Sequence, residues 1–233
     1  MNIGGLVKNS MIDYPGKVSC GIFLAGCNFK CPYCHNPELA RRRTPHSVEF
    51  DPDSIYRFIE TRRRFLDGVV ISGGEPTLQA DLYDLCRDIK EMGYPVKLDT
   101  NGSRPQVIKR LISEGLVDYI AMDLKTDPVQ YATYIQSNCN VKAIFASIDV
   151  IMNSAIAYEF RTTCVKPIVA VQTIENISRL IEGARLYALQ RFHQSEVLQP
   201  EFFKEAGYEY DDEELEQLKA VAEGWVKTCI LRP

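Results

Sequence analysis

Residues 20–36 read Cys20-Gly-Ile-Phe-Leu-Ala-Gly-Cys27-Asn-Phe-Lys-Cys31-Pro-Tyr33-Cys34-His35-Asn36. The apolar run over 18–24 has the length and composition of a buried strand. It leads directly into a short loop with three cysteines at spacings of four and three. A strand that ends in a cluster of thiols is the arrangement parallel α/β folds use, with their chemistry at the C-terminal strand ends. Thiolates are soft ligands that select zinc, copper(I) or iron–sulfur clusters. A structural zinc site takes four ligands, commonly as two Cys-x-x-Cys pairs or a Cys/His mixture. No second pair exists here, because Cys20, Cys86, Cys139, Cys164 and Cys229 are scattered. His35 directly follows Cys34, and chelation from so short a stretch would be strained. A cubane cluster on three cysteines leaves one iron without a protein ligand, open to a substrate. Spacing favours this open-iron cluster, with zinc as the alternative.

At 233 residues, with 45% hydrophobic and 25% charged residues, the composition is that of a soluble globular chain. One domain over 1–233 is expected, with an N-terminal arm (1–17), a core (18–200) and a C-terminal helix (201–233). The net charge of −4 carries no nucleic-acid footprint. The apolar runs are too short for a membrane span, and the first residues lack a signal-peptide pattern. Eight cysteines without such a signal point to a reducing cytoplasm and free or metal-bound thiols, against a disulfide framework.

Hydrophobic periodicity predicts alternating elements. Strands are expected at 18–24, 68–72, 96–100, 117–122, 158–163 and 193–198. Helices are expected at 53–64, 78–92, 104–114, 127–155 in two pieces, 174–190 and 211–226. A short strand or hairpin arm should occupy 3–14. Six strand–helix alternations mean parallel strands with right-handed crossovers. Periodicity alone does not distinguish an open doubly wound sheet from an incomplete barrel. Arg41-Arg42-Arg43 reads as a solvated loop, or as a partner contact near the thiols.

Three further stretches fall at predicted strand ends. Ser72-Gly73-Gly74-Glu75-Pro76 has glycines that permit close backbone approach and a proline suited to opening a helix. Asp99-Thr100-Asn101-Gly102 places two oxygen ligands at the rim, and Asn-Gly by itself is an ordinary turn. Asp123-Leu-Lys125 adds a carboxylate and an ammonium. These two are not expected to pair, being two residues apart on a strand. Arg161 ends the next strand, where its fork could meet a carboxylate. His193, alone on a predicted strand, reads as a core residue.

Cys27, Cys31, Tyr33 and Cys34 meet the pattern Cys-x-x-x-Cys-x-aromatic-Cys, which resembles the signature of the radical S-adenosylmethionine (SAM) enzymes. Ser10-Met-Ile-Asp-Tyr-Pro-Gly-Lys17, followed by the run from Gly26 to Pro37, is similar to the activating enzymes of glycyl radical enzymes, in particular those of anaerobic ribonucleoside-triphosphate reductase. The resemblance implies a partial (βα)6 TIM-like barrel of parallel strands and a [4Fe-4S] cluster on Cys27, Cys31 and Cys34. It implies SAM bound through Tyr33, Cys34, His35, Gly73, Gly74, Glu75, Pro76, Asp99, Thr100, Asn101, Asp123, Lys125 and Arg161. The Gly-Gly-Glu stretch would hold the amino group of its methionine part, and Asp99, Thr100 and Asp123 would help to build a monovalent cation site. The implied reaction is reductive cleavage of SAM to methionine and a 5′-deoxyadenosyl radical that takes hydrogen from a glycine of a partner glycyl radical enzyme. Flavodoxin or ferredoxin would be the electron donor, in an anaerobic cytoplasm. Two other functions fit the residues less closely: a radical SAM enzyme acting on a small molecule such as a deazapurine precursor, and a non-catalytic zinc-binding module. Val165-Lys-Pro-Ile168 departs from the family's Val-x-Pro-Gly by lacking the glycine.

Overall fold

The structure, a computed structural model, describes residues 2–41, 51–136, 139–193, 196–204 and 207–233. Its strands are β1 (Ile3–Ser10), β2 (Ser19–Leu24), β3 (Gly68–Gly73), β4 (Val96–Thr100), β5 (Tyr119–Asp123), β6 (Ala157–Cys164), β7 (Tyr187–Arg191) and β8 (Cys229–Arg232). They form one sheet in chain order. β1 runs antiparallel to β2, and every later neighbouring pair is parallel. The helices are α1 (Pro37–Ala40), α2 (Pro52–Thr61), α3 (Leu82–Glu91), α4 (Pro105–Ser113), α5 (Tyr131–Tyr134), α6 (Val141–Met152), α7 (Val171–Leu180) and α8 (Asp212–Glu223). When each parallel strand lands beside the previous one, right-handed crossovers put the longer helices α2, α3, α4, α6, α7 and α8 on one face. The other face curls inward, giving an open partial barrel whose six central strands are β2–β7, with β8 continuing the edge.

The two faces differ chemically. Cys20, Ile22, Val69, Ile71, Val96, Leu98, Ile120 and Phe160 point outward and are buried under the helices in one large apolar core. The in-phase residues on the inner face are Val70, Lys97, Asp99, Tyr119, Ala121, Glu159 and Arg161, aligned across the sheet by register: Val70↔Lys97↔Tyr119 and Ala121↔Glu159. Among the described residues, Tyr14, Val70, Tyr119 and Ala121 make the apolar cluster there. Charged groups fill much of the rest. Glu159 is 1% exposed and pairs with Arg232 of β8, while Tyr119 donates to the same carboxylate at 3.1 Å.

The C-terminal third departs from the sequence expectation. The helix predicted over 174–190 ends at Leu180, and Gly183, with φ +78°, turns the chain before β7. Tyr187-Ala-Leu-Gln-Arg191 contains good helix formers, but pairing with β6 on one side and β8 on the other makes it a strand. The strand predicted over 193–198 is therefore displaced to 187–191, and His193 is exposed instead of sitting in the core. The terminal segment, expected as a helix, ends in β8, a four-residue strand too short for its periodicity to register. Phe65 lies beyond α2 and is 66% exposed, while Leu66 is buried. Arg42 and Arg43 lie outside the described residues, and Arg41 donates to the Leu198 carbonyl at 2.8 Å.

Arg232→Ala strands Glu159 in the barrel interior. The cost expected in urea titration is about 3 kcal/mol, at the low end for breaking a buried pair, because the Arg232 side chain keeps 26% of its surface exposed. An unchanged midpoint would show that β8 does not close the barrel through this pair.

Candidate cofactor site

The C-terminal ends of β2–β7 surround a cavity of about 300 Å³. β2 delivers the thiol loop. Its backbone is tied down by Gly26 and Cys27 donating to the Leu39 and Ala40 carbonyls at 2.7 and 3.2 Å, so α1 returns against the loop that precedes it. Phe29 donates to the Cys27 sulfur at 3.3 Å, and Cys34 to the Cys31 carbonyl at 3.1 Å. Tyr33 is 3% exposed and its hydroxyl donates to the Lys125 carbonyl at 3.1 Å, fixing the loop to the end of β5. All three thiols line the cavity. Burial pushes the Cys27 thiol up to about 11 and that of Cys31 up to about 12, so a metal entering the site displaces protons. His35 is exposed at the rim, its ring edge-on to Phe192 at 5.5 Å.

The loop after β3 lies directly on this one. Gly74 donates to the Leu24 carbonyl and Glu75 to the Gly26 carbonyl, both at 2.8 Å. A Cβ on Gly74 would collide with the Gly26 carbonyl, and Gly73 holds a φ of +122°, so both positions require glycine. The Glu75 side chain is 1% exposed. It accepts from the Thr77 amide and hydroxyl, from the Thr100 hydroxyl at 2.8 Å and from the Asn101 amide at 2.6 Å. Burial raises its pKa even against these four donors. Glu75 thus braces the β3 loop to the β4 loop. Asn101 extends the brace, its side-chain amide donating to the Asn28 side-chain oxygen Oδ1 at 3.0 Å within the thiol loop.

Opposite the thiols stands a chain of alternating charge. Arg161 donates from Nε to Asp123 Oδ1 at 2.7 Å and reaches Asp99 Oδ2 with Nη1 at 3.5 Å. Lys125 holds Asp123 Oδ2 at 2.9 Å, Ser72 donates to Asp99 Oδ2 at 3.0 Å, and Lys97 pairs with Asp99 Oδ1. The Asp123–Lys125 pair corrects the sequence expectation. β5 ends at Asp123, so Lys125 leaves the strand and its long stem turns back. Lys97 and Asp99 pair even within β4, which shows that a lysine stem spans the two-residue repeat. Burial by itself would raise both carboxyls, but Arg161 and the lysines outweigh it and hold Asp99 and Asp123 below the usual carboxylate value. For Lys125, Asp123 likewise outweighs burial and holds the ammonium above its ordinary value.

The structure gathers every residue named from the sequence around this one cavity except Pro76, which is buried behind it, opening a 3-10 turn (Pro76–Leu78). It adds Phe29, Asn36, Ala40, Ser72, Thr163 and Gln190 to the lining. Lys97 was the residue least visible in advance, its only signal being a charge inside an apolar strand in phase with Asp99. Among the described residues no three His, Cys, Asp or Glu side chains converge as ligands of a single metal ion. Three thiols set apart around a cavity wall suit a multi-iron cluster, which spreads its thiolates over different metal atoms. Facing them, backbone glycines and fixed cations suit a small zwitterion. The donor set therefore fits both an iron–sulfur cluster and SAM.

The acid pair gives a pH dependence. Depressed carboxyls stabilise fully above the unfolded value of 3.8 and lose that contribution as pH falls toward their folded values. Glu75, with its pKa raised, has the opposite sign and loses its contribution as pH rises through its folded value. The urea midpoint should therefore decline on acidification below about pH 4, and less steeply in Asp123→Asn. Equal slopes in the two proteins would remove the assigned role of Asp123.

The chain matches the radical SAM superfamily over residues 22–181. A protein of Methanocaldococcus jannaschii, provisionally named a glycyl-radical enzyme activating enzyme, is 36% identical over 99% of this chain and 95% of its own length. The pyruvate formate-lyase-activating enzyme of Streptococcus mutans is 33% identical over 42% of this chain and 40% of its own. Among solved structures, Streptococcus suis SuiB bound to S-adenosylmethionine superposes with a TM-score of 0.65 at 14% identity, over 91% of this chain and 51% of that one, a likeness of fold. With the family's match covering most of its length and the thiol loop on the barrel rim, this chain belongs to the radical SAM superfamily of enzymes.

Proposed function

We propose that this protein activates a glycyl radical enzyme, taking a hydrogen atom from a backbone glycine of that partner. The observation that carries the reading is the single cavity in which the three-thiol loop of β2 faces the glycine loop of β3 and the charged ends of β4, β5 and β6. Full-length similarity to a protein named for this activity supports it. Cys27, Cys31 and Cys34 would hold a [4Fe-4S] cluster and leave one iron to SAM. When bound, the cluster and SAM together supply one-electron cleavage of a carbon–sulfur bond and a carbon-centred radical.

The chain's own part is to bind, orient and shield. Gly73 and Gly74 let backbone approach the ligand without a side chain between them. Lys125 and Arg161 present positive charge to a carboxylate, with the geometry of the guanidinium fork set by Asp123. Glu75, with its oxygens already engaged, keeps the glycine loop and the Asn101 loop in register. An anaerobic ribonucleotide reductase or a similar enzyme is the partner of choice, with a flavodoxin or ferredoxin as electron donor, in a reducing cytoplasm. Among the described residues no helix is long and apolar enough to cross a membrane.

The test combines anaerobically reconstituted protein, SAM and a low-potential reductant with a candidate glycyl radical enzyme. Electron paramagnetic resonance should show a glycyl radical on the partner, and 5′-deoxyadenosine should accumulate. Cys31→Ala should bring both to background. SAM cleavage without a radical on any such partner, together with turnover of a free metabolite, would replace the activase by a small-molecule enzyme. Colourless protein carrying zinc in place of iron and sulfide would defeat both.

A further inference from the structure

The monovalent cation expected from Asp99, Thr100 and Asp123 does not fit the site as it is built. Each oxygen it would use is already engaged. Asp99 Oδ1 is held by Lys97, and Asp99 Oδ2 by Ser72 and Arg161. Asp123 Oδ1 is held by Arg161, and Asp123 Oδ2 by Lys125. The Thr100 hydroxyl donates to Glu75 at 2.8 Å and accepts from the Gly102 amide at 3.2 Å, so it faces away from the acids. Two carboxylates thus meet three protein cations, Lys97, Arg161 and Lys125. An added sodium or potassium ion would enter a cluster already in positive excess, in a buried setting where charge is weakly screened.

Lys97 is the unusual member. It is 1% exposed, on the inner face of β4, below the cavity. Burying an ammonium is unfavourable unless it is paired. Among the described groups its partners are the Asp99 carboxylate and the face of Tyr119, whose centroid is 5.9 Å away. Arg161 and Lys125 stand at the cavity wall, where a ligand carboxylate can reach them. Lys97 does not line the cavity, so its charge serves Asp99 and not the ligand directly.

We propose that Lys97 is a built-in counter-cation that takes the place of a bound alkali ion in the SAM site, so that this chain binds SAM without sodium or potassium. It acts as a positioning residue. By holding one oxygen of Asp99 it directs the other toward Ser72 and Arg161, and so fixes the guanidinium at the cavity wall. The inference rests on the cofactor-binding reading of this cavity and is independent of the hydrogen donor.

The test measures SAM binding to cluster-loaded protein by equilibrium dialysis, in choline, sodium or potassium chloride at one ionic strength. The activase assay reads the partner and this one reads SAM alone, so the two can fail separately. Wild-type affinity should agree within about twofold across the three salts, since all screen alike. Lys97→Met should bind about tenfold more weakly in choline, the worth of one charge-assisted bond, and regain affinity in sodium or potassium. A protein whose lysine merely props the fold would show no such ion rescue. Wild type that needs either alkali ion, or a folded Lys97→Met indifferent to both, overturns the proposal. Should Lys97→Met not fold, Lys97→Met/Asp99→Asn removes both charges together. It is expected to bind SAM with no ion requirement, and such a requirement would overturn the proposal equally. A saturable rise of the wild-type melting temperature with potassium, absent with choline, would also do so.

Discussion

Arg161 lies between Asp99 and Asp123 and so joins the ends of β4, β5 and β6 by charge. A curled parallel sheet must fill its inner face, and small barrels do so with packed branched residues. Here the upper part of that face is a file of alternating charge: Lys125, Asp123, Arg161, Asp99 and Lys97. It continues past the Tyr119 ring to Glu159 and Arg232. Each buried ion is tolerable only because its neighbours carry the opposite sign. The file leaves the cavity wall polar and holds its charged groups in place through one another.

The thiol loop depends on this frame for its position. Tyr33 anchors it to Lys125, Asn101 reaches it through Asn28, and the glycine loop lies against Gly26. Glu75 links the glycine and Asn101 loops with one carboxylate. Four loops from four strands are therefore tied to one another, the preorganisation an orientation-dependent reaction requires. The close backbone contact at Gly74 explains the short side-chain-free stretch, since a single methyl group there would separate the two loops.

Much of the site was legible because its chemistry is local. Cys27, Cys31 and Cys34 fall within one loop, and Gly73, Gly74 and Glu75 within another, so spacing and residue type carry the information directly. Lys97 and the Asp123–Lys125 pair were not legible. Side-chain reach between residues two apart depends on which face is buried and where the strand stops, and both are set by packing. Glu75 stands out in the sequence only as part of the glycine stretch; its bonds to Thr77, Thr100 and Asn101, residues 2 to 26 positions away, are set by how the loops pack.

What the chain order and composition settled alone is the alternation of elements through β6, with strands β2–β6 within one or two residues of their observed ends. Long apolar periodicities survive any tertiary arrangement, so they can be read without one. The tertiary structure decided the last third. Tyr187-Ala-Leu-Gln-Arg191 has helical preferences and becomes a strand because an open sheet edge at β6 offers unpaired backbone groups, which β7 satisfies and β8 then covers. Backbone hydrogen bonds to a distant neighbour outweigh a few tenths of a kcal/mol per residue of local propensity. That competition is invisible until the neighbour is in place.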